Sequence, residues 1–355
     1  MPELFAKPRP ELLALAAEHG LDLRPHLTHD ELVAELVTQR LAAGDDVVTE
    51  GELSMLHEGF GFVRLAATDY GETGVDAYVS PSQIRSLHLQ QGHRVKGRLR
   101  APRGNERFLA LTRVESVQGV DADALGDVVP FGARTAIVPD RALPLGDDGP
   151  WAGLAQQAPW RFGHRVLVHK QQDEPTAAWL TALAGAIAAA HPSVDVTLCL
   201  LDQRPEDLAV ARALAADAHA NLTTVGTTFA SPPRRHADVA DLALHAALRR
   251  VEHGHDVVLL LDSVTALTHA HARSQAPSGA WIQPGLDARA VLAAKQLFAA
   301  ARQTAEAGSL TVLATVLEHG SAIDGAIADE FAPTSNSDVW PGTPERSRTR
   351  PEGRA

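Results

Sequence analysis

The segment Val257-Val258-Leu259-Leu260-Leu261-Asp262 constrains the fold of this chain more than any other. Five consecutive branched aliphatic residues leave no polar face, so a strand built from them must be covered on both sides. It ends on a carboxylate. Neighbouring segments repeat the demand: Arg165–His169, Val194–Leu201, Asn221–Thr228 and Leu310–Val316 read as strands. Helical patterns at Thr176–Ala190, Glu206–Ala218, Ala237–His253 and Ala288–Glu306 separate them. Such alternation implies a parallel sheet with helices on both faces.

The first third of the chain is patterned differently. Leu12, Leu13, Leu15 and Ala16, then Leu32, Val33, Leu36, Val37 and Leu41, predict two or three short helices between about Pro10 and Gly44. Thr28 followed three residues later by Glu31 forms a capping box for the second of them. From Val47 to about Val117, short apolar stretches lie among eight glycines, and Arg94-Val95-Lys96-Gly97-Arg98-Leu99-Arg100 alternates charged with apolar or small residues. That turn density suggests a small closed barrel. The expected organisation is a helical bundle over 1–46, a barrel over 47–118 and a linker over 119–160 that wraps the next domain. An α/β domain over 161–334 and a disordered tail over 335–355 follow.

Charge narrows the partners. The 355 residues hold 44 acidic and 32 basic side chains, a net charge of −12 that argues against general polyanion binding. Between Gly51 and Val117, however, nine basic residues face seven acidic ones, so a local basic face survives there. Cys199 is the sole cysteine, which excludes a disulfide scaffold, suits a reducing compartment and reads as a buried small hydrophobe. His253-x-His255 and His269-x-His271 have no third ligand at fixed spacing, so no metal site is expected. The apolar run Leu180–Ala190 is too short to cross a bilayer, and the opening Met-Pro-Glu-Leu-Phe-Ala-Lys-Pro is no signal peptide. A cytoplasmic protein is expected.

Aromatic residues are scarce, yet Phe60, Phe62, Tyr70, Tyr78 and Phe108 all fall in the barrel segment. In Gly59-Phe60-Gly61-Phe62-Val63-Arg64 the period of two puts both phenylalanines on one face. Two readings stay open on spacing alone: a stacking platform for single-stranded nucleic acid, or filling of the barrel core.

Gly59–Arg64, Asp76–Arg85 and Glu106–Leu111 resemble the cold-shock-like RNA-binding domain of the bacterial transcription termination factor Rho family, and the resemblance runs from the N-terminal bundle to about Phe331. It implies a multidomain fold: an N-terminal helical bundle, a cold-shock or OB-like β-barrel, and an incomplete RecA-like α/β P-loop NTPase domain. It also implies binding of single-stranded, pyrimidine-rich RNA. Carried over, Phe60, Phe62 and Tyr78 stack on or enclose bases, while Arg64, Arg103 and Arg107 meet phosphate or base edges. Asp76 and Glu106 accept hydrogen bonds from cytosine-type amino groups, and Phe108 stands where the family usually has tyrosine.

The family uses ATP and Mg2+ in a P-loop of the form G-x-x-x-x-G-K-[ST]. By resemblance the flanking Gly163 and Arg165 remain, but Pro175 replaces the last glycine, Thr176 the lysine and Ala177 the magnesium-binding threonine. Asp173 and Glu174 add negative charge beside a triphosphate; a remote rescue by Lys170 is the alternative. Asp262 fits the Walker B carboxylate or, alternatively, a helix N-cap. In Asp202-Gln203-Arg204-Pro205-Glu206, Gln203 replaces the glutamate that polarises water, while Arg204 is retained. Ala280 and Ala322 occupy positions of pore lysines, and the family's arginine finger lies beyond Phe331, past this chain's end. The Arg-rich end from Arg346 reads as a solvated tail or an RNA contact.

The expectation is a Rho-like RNA-binding protein with lost or impaired ATPase and translocase activity and weak or absent ATP and Mg2+ binding. Its partners would be RNA polymerase or an intact Rho protein, in a hexamer or co-assembly, without a membrane. The alternatives are an active RNA-dependent ATPase that terminates transcription, and a truncated non-functional paralogue.

Overall fold

The computed structural model describes the chain apart from residues 2, 21–25, 146–150, 152, 155–157, 172–175, 219–220, 342 and 351–355. It falls into two units, Met1–Asp127 and Val128–Ala355.

The first unit opens with α1 (Glu3–Ala6), α2 (Arg9–Glu18) and α3 (His29–Ala42). The capping box starts α3: Thr28 Oγ1 accepts from the Glu31 amide, and the Glu31 carboxylate accepts from the Thr28 amide at 2.8 Å. Leu32, Val33, Leu36 and Val37 form its buried stripe. That stripe shares one apolar cluster with Leu53, Val63, Val79, Val95 and Leu111. Residues 1–46 therefore do not stand as a separate bundle, because helices this short cannot cover their own apolar face.

The barrel comprises β1 (Val48–Met55), β2 (Gly61–Arg64), β3 (Ala77–Val79), α4 (Pro81–Ser86), β4 (Arg94–Arg100) and β5 (Leu109–Val117), with β6 (Val120–Asp121) paired to β5. The sheet runs β3-β2-β1-β4-β5, and β3 pairs in parallel with β5 to close it. This is the OB-like closure. A Cβ on Gly61 would lie 2.7 Å from the Ser54 carbonyl oxygen and 2.8 Å from Leu53 Cδ1. The glycine thus faces the packed interior, which sends Phe60 and Phe62 to the other face.

In the second unit, β7 (Ala136–Ile137) leads to β8 (Arg165–Lys170), α5 (Thr176–Ala190), β9 (Asp195–Gln203), α6 (Pro205–Ala218) and β10 (Leu222–Thr228). Then come α7 (Pro233–Glu252), β11 (Asp256–Asp262), α8 (Val264–Ser274), β12 (Trp281–Gln283), β13 (Leu286–Asp287) and α9 (Ala288–Ala299). The remainder is β14 (Arg302–Thr304), β15 (Ser309–Leu317), α10 (Ala322–Phe331), β16 (Ser337–Val339) and β17 (Arg348–Thr349). The sheet order is β10-β9-β11-β15-β8-β16-β17, parallel from β10 to β16. Val257 to Leu261 are fully buried, as their uninterrupted apolar run demands. With β15 between β8 and β11, the arrangement is RecA-like, and its ligand edge lies at the strands' carboxyl ends.

Three further expectations change. The helix predicted over 288–306 stops at Ala299, because Arg302–Thr304 leaves it to pair with β15 and β7. The unit boundary falls inside the expected linker, whose later part serves the second unit: the Arg134 guanidinium donates to the Val251 and Ala307 carbonyls at 3.1 and 2.8 Å. Ser337–Val339 and Arg348–Thr349 are strands, not parts of a disordered tail. Ser337–Val339 adds to the sheet beside β8, and Asp338, fully buried, accepts from Ser335 Oγ at 3.1 Å and Arg350 Nε at 2.7 Å. Among the described residues, no helix is long and apolar enough to cross a membrane.

Candidate functional sites

On the outer face of the barrel, Phe60, Phe62, Tyr78 and Phe108 form one aromatic cluster. Ring centroids are 4.8 Å apart for Phe62–Phe108, 5.4 Å for Phe60–Tyr78, 5.9 Å for Phe60–Phe62 and 6.1 Å for Phe62–Tyr78. Phe62 is 7% exposed and forms the floor; Phe108 is 48% exposed, and Phe60 and Tyr78 are half-buried. Val63, its neighbour on β2, points the other way into the apolar core.

Arg64 and Asp76, which the carry-over assigns to RNA, face each other as a pair. Both are buried, with Arg64 Nη1 donating to Asp76 Oδ2 at 2.7 Å and Nη2 reaching Glu72 at 3.4 Å. Asp76 also accepts from the Thr73 amide and hydroxyl at 3.1 and 3.0 Å. Burial pushes its carboxyl above the usual range, with Arg64 and Thr73 opposing. The Arg64 guanidinium lies over the Phe62 ring, 5.4 Å from its centroid, so this charge pair packs against the most buried ring of the cluster. A charge twelve residues from its partner pairs through the fold, which spacing alone does not show.

Glu106 accepts from Arg100 at 2.5 and 2.9 Å and from the Arg103 amide at 2.9 Å. The Arg100 hydrogen bonds lead in lowering its pKa to about 2. This clamp closes the turn before Phe108 and leaves the side chains of Arg103 and Arg107 exposed. On β4, Arg94 is paired with Glu50 at 2.6 Å and Arg98 with Glu115 at 2.8 Å, whereas Lys96 is exposed.

At the carboxyl edge of the second unit's sheet, Asp262 ends β11 at 1% exposure. Lys170, the last residue of β8, reaches across β15 and donates to Asp262 Oδ1 at 2.8 Å. Thr315 of β15 donates to the same oxygen at 2.5 Å. Thr176, first in α5, donates to Oδ2 at 3.1 Å and accepts from Lys170 Nζ at 3.2 Å. Gln203 Nε2 is shared between the Leu201 carbonyl at 2.7 Å and Asp262 Oδ2 at 3.4 Å. Four donors therefore converge on one buried carboxylate.

The other nucleotide candidates lie elsewhere. Ala177, the second residue of α5, is buried in the core, and Arg204 is exposed. Asp173 and Pro175 are outside the described residues. Gly163 and Arg165 sit at the opposite end of β8; at about 3.3 Å per residue, Arg165 is about 17 Å from Lys170. They hold the fold instead. The Gly163 amide donates to Thr311 Oγ1 at 2.8 Å, and Arg165 donates to the Thr334 and Ala301 carbonyls at 2.6 and 2.7 Å.

Ala280 and Ala322 are exposed, and Gln283 Nε2 bonds the Ala322 carbonyl at 2.9 Å, bringing their two loops together. His255 faces Asp195 and His269 faces Asp324, each at 2.8 Å; among the described residues no three ligating side chains gather for a metal. Unforeseen were the roles of Lys170 and Thr315, the exposed Trp281, and Trp340, which stacks on His169 at 4.1 Å beneath Arg346 at 4.7 Å.

These features define the class: an OB-like barrel carrying an aromatic patch, followed in the same chain by a RecA-like α/β unit. Residues 49–123 match the family model of the Rho termination factor RNA-binding domain. Transcription termination factor Rho of Neisseria gonorrhoeae is 35% identical over 337 residues, covering 93% of this chain and 79% of that protein. The Rho protein of Bacillus subtilis (strain 168) is 35% identical over 335 residues, with 93% and 77% covered. The chain belongs to the transcription termination factor Rho family. Solved structures share the fold alone: an ATPase from the type III secretion system of pathogenic bacteria has a TM-score of 0.52 at 20% identity over 71% of each chain. The assembled ATPase EscN of enteropathogenic E. coli has a TM-score of 0.52 at 17% identity, covering 84% of this chain and 80% of its own.

Proposed function

We propose that this chain is a Rho-family protein that binds single-stranded, pyrimidine-rich RNA through its barrel and has lost or impaired ATP-driven translocation. Phe108, Phe60 and Tyr78 offer ring faces and edges on which bases stack, Phe62 supports them, and Arg103, Arg107 and Lys96 supply charge for phosphates. Arg64 and Asp76 act as positioning residues for that patch.

The observation that carries the second half is the Lys170 ammonium on Asp262. ATP with Mg2+, the family's cofactor, does not fit the residues present. Ala177 has no hydroxyl for a metal, Thr176 has no charge for an outer phosphate, and the Gln203 amide cannot take a proton from water. The chain would act in the cytoplasm on RNA together with RNA polymerase or an intact Rho protein, alone or co-assembled in a ring.

RNA-stimulated ATP hydrolysis tests this reading in a preparation shown to bind a pyrimidine-rich oligonucleotide. Binding with turnover at background is the expected result. Turnover above background that Asp262→Asn abolishes would overturn the reading in favour of an active translocase.

A further inference from the structure

We propose that Lys170 is a built-in counter-cation that takes the place of a divalent metal at Asp262. The inference deepens the preceding reading of the nucleotide site and rests on it. A carboxylate at 1% exposure has to be paired, because burial of an uncompensated charge is strongly unfavourable. In a magnesium-using site of this class the metal supplies that compensation. Here the chain supplies it, from the end of β8, two strands away in the sheet.

The geometry makes this a substitution of function. Strands β8 and β11 flank β15, so their ends lie about 9.6 Å apart, a span that only a long side chain crosses. Lys170 crosses it and meets both Asp262 Oδ1 and Thr176 Oγ1. Thr176 is the residue that the carry-over places where a phosphate-binding lysine stands. The positive charge has thus moved to a site where it faces a carboxylate of its own chain. A divalent ion on the same oxygens would sit against a tethered positive charge that is always present, whatever the metal concentration.

Thr176 and Thr315 donate to Asp262 through hydroxyls whose own oxygens are hard donors. Without the ammonium, one carboxylate and two hydroxyl oxygens share a small space, the oxygen-rich set that Mg2+ or Mn2+ takes up with water. The site is therefore one side chain away from metal binding.

Electron paramagnetic resonance of Mn2+ titrated into the full chain, without nucleotide or RNA, tests this directly. Wild type and Asp262→Asn should bind Mn2+ equally weakly. Lys170→Met, which keeps the aliphatic stem, should bind at least about tenfold more tightly, and Lys170→Met with Asp262→Asn should lose the gain. A wild-type affinity that Asp262→Asn lowers, or no gain in a folded Lys170→Met, would overturn the proposal. Should Lys170→Met fail to fold, the wild-type and Asp262→Asn pair decides alone, by equal or unequal affinity. Because nucleotide is left out, an active ATPase would refute the functional reading without altering this result.

Discussion

Truncating Phe108 separates the RNA platform from the barrel's own stability. Phe108 is 48% exposed and touches the cluster through one edge-to-face contact with Phe62 at 4.8 Å. Losing such a pair costs about 0.5–1.5 kcal/mol of stability. Losing a base-stacking ring costs about 1–3 kcal/mol of RNA affinity, a Kd raised about 5- to 150-fold. Phe62→Ala is a different perturbation. Phe62 is 7% exposed beneath three aromatic neighbours, so its truncation costs about 3–5 kcal/mol of stability and weakens binding by collapsing the floor. Fluorescence anisotropy with a labelled pyrimidine-rich oligonucleotide, beside urea unfolding of the same samples, reads both quantities. A folded Phe108→Ala protein whose Kd stays within about twofold of wild type, well below the stacking range, would refute the platform.

Three further outcomes follow from the charges. The Glu106 pKa is lowered to about 2, so its clamp on Arg100 stabilises the turn above the unfolded value near 4.5 and is lost as pH falls towards 2. Its side-chain carboxyl should titrate near 2 by NMR, and a midpoint near 4.5 would remove the clamp. The salt dependence of RNA binding should shrink by about one unit of slope for each of Lys96→Ala, Arg103→Ala or Arg107→Ala that contacts phosphate, and an unchanged slope in all three would place the phosphates elsewhere. Thr176→Lys should not restore RNA-stimulated hydrolysis, because Gln203 and Ala177 act at separate steps; turnover from that single change would show that the site is otherwise intact.

Much of the fold was legible because it rests on long patterns. The apolar run ending at Asp262, the Gly-Phe-Gly-Phe alternation and the Thr28–Glu31 box each became the predicted element. Short elements were not legible: Ser337–Val339 joins the sheet through backbone pairing, with a fully buried aspartate that reads as a loop residue. Charges were legible in number and not in partnership. Arg64 reads as a phosphate contact and is spent on Asp76; Lys170 reads as a distant rescue for phosphate and is spent on Asp262. Gly163 and Arg165 matched the family pattern but lie at the wrong end of β8, since a flank that aligns with a motif need not lie in its site.

The central claim, a barrel that binds RNA in a chain whose nucleotide site is closed by its own lysine, is tested most directly by melting the protein with and without ATP·Mg2+. A ligand held at about 100 times its Kd stabilises a fold by about 2.7 kcal/mol. For a unit the size of Val128–Ala355 that is a rise of about 5–10 °C. The account predicts no shift with ATP·Mg2+ in protein that still binds the pyrimidine-rich oligonucleotide. A rise of several degrees that disappears in Asp262→Asn would contradict it.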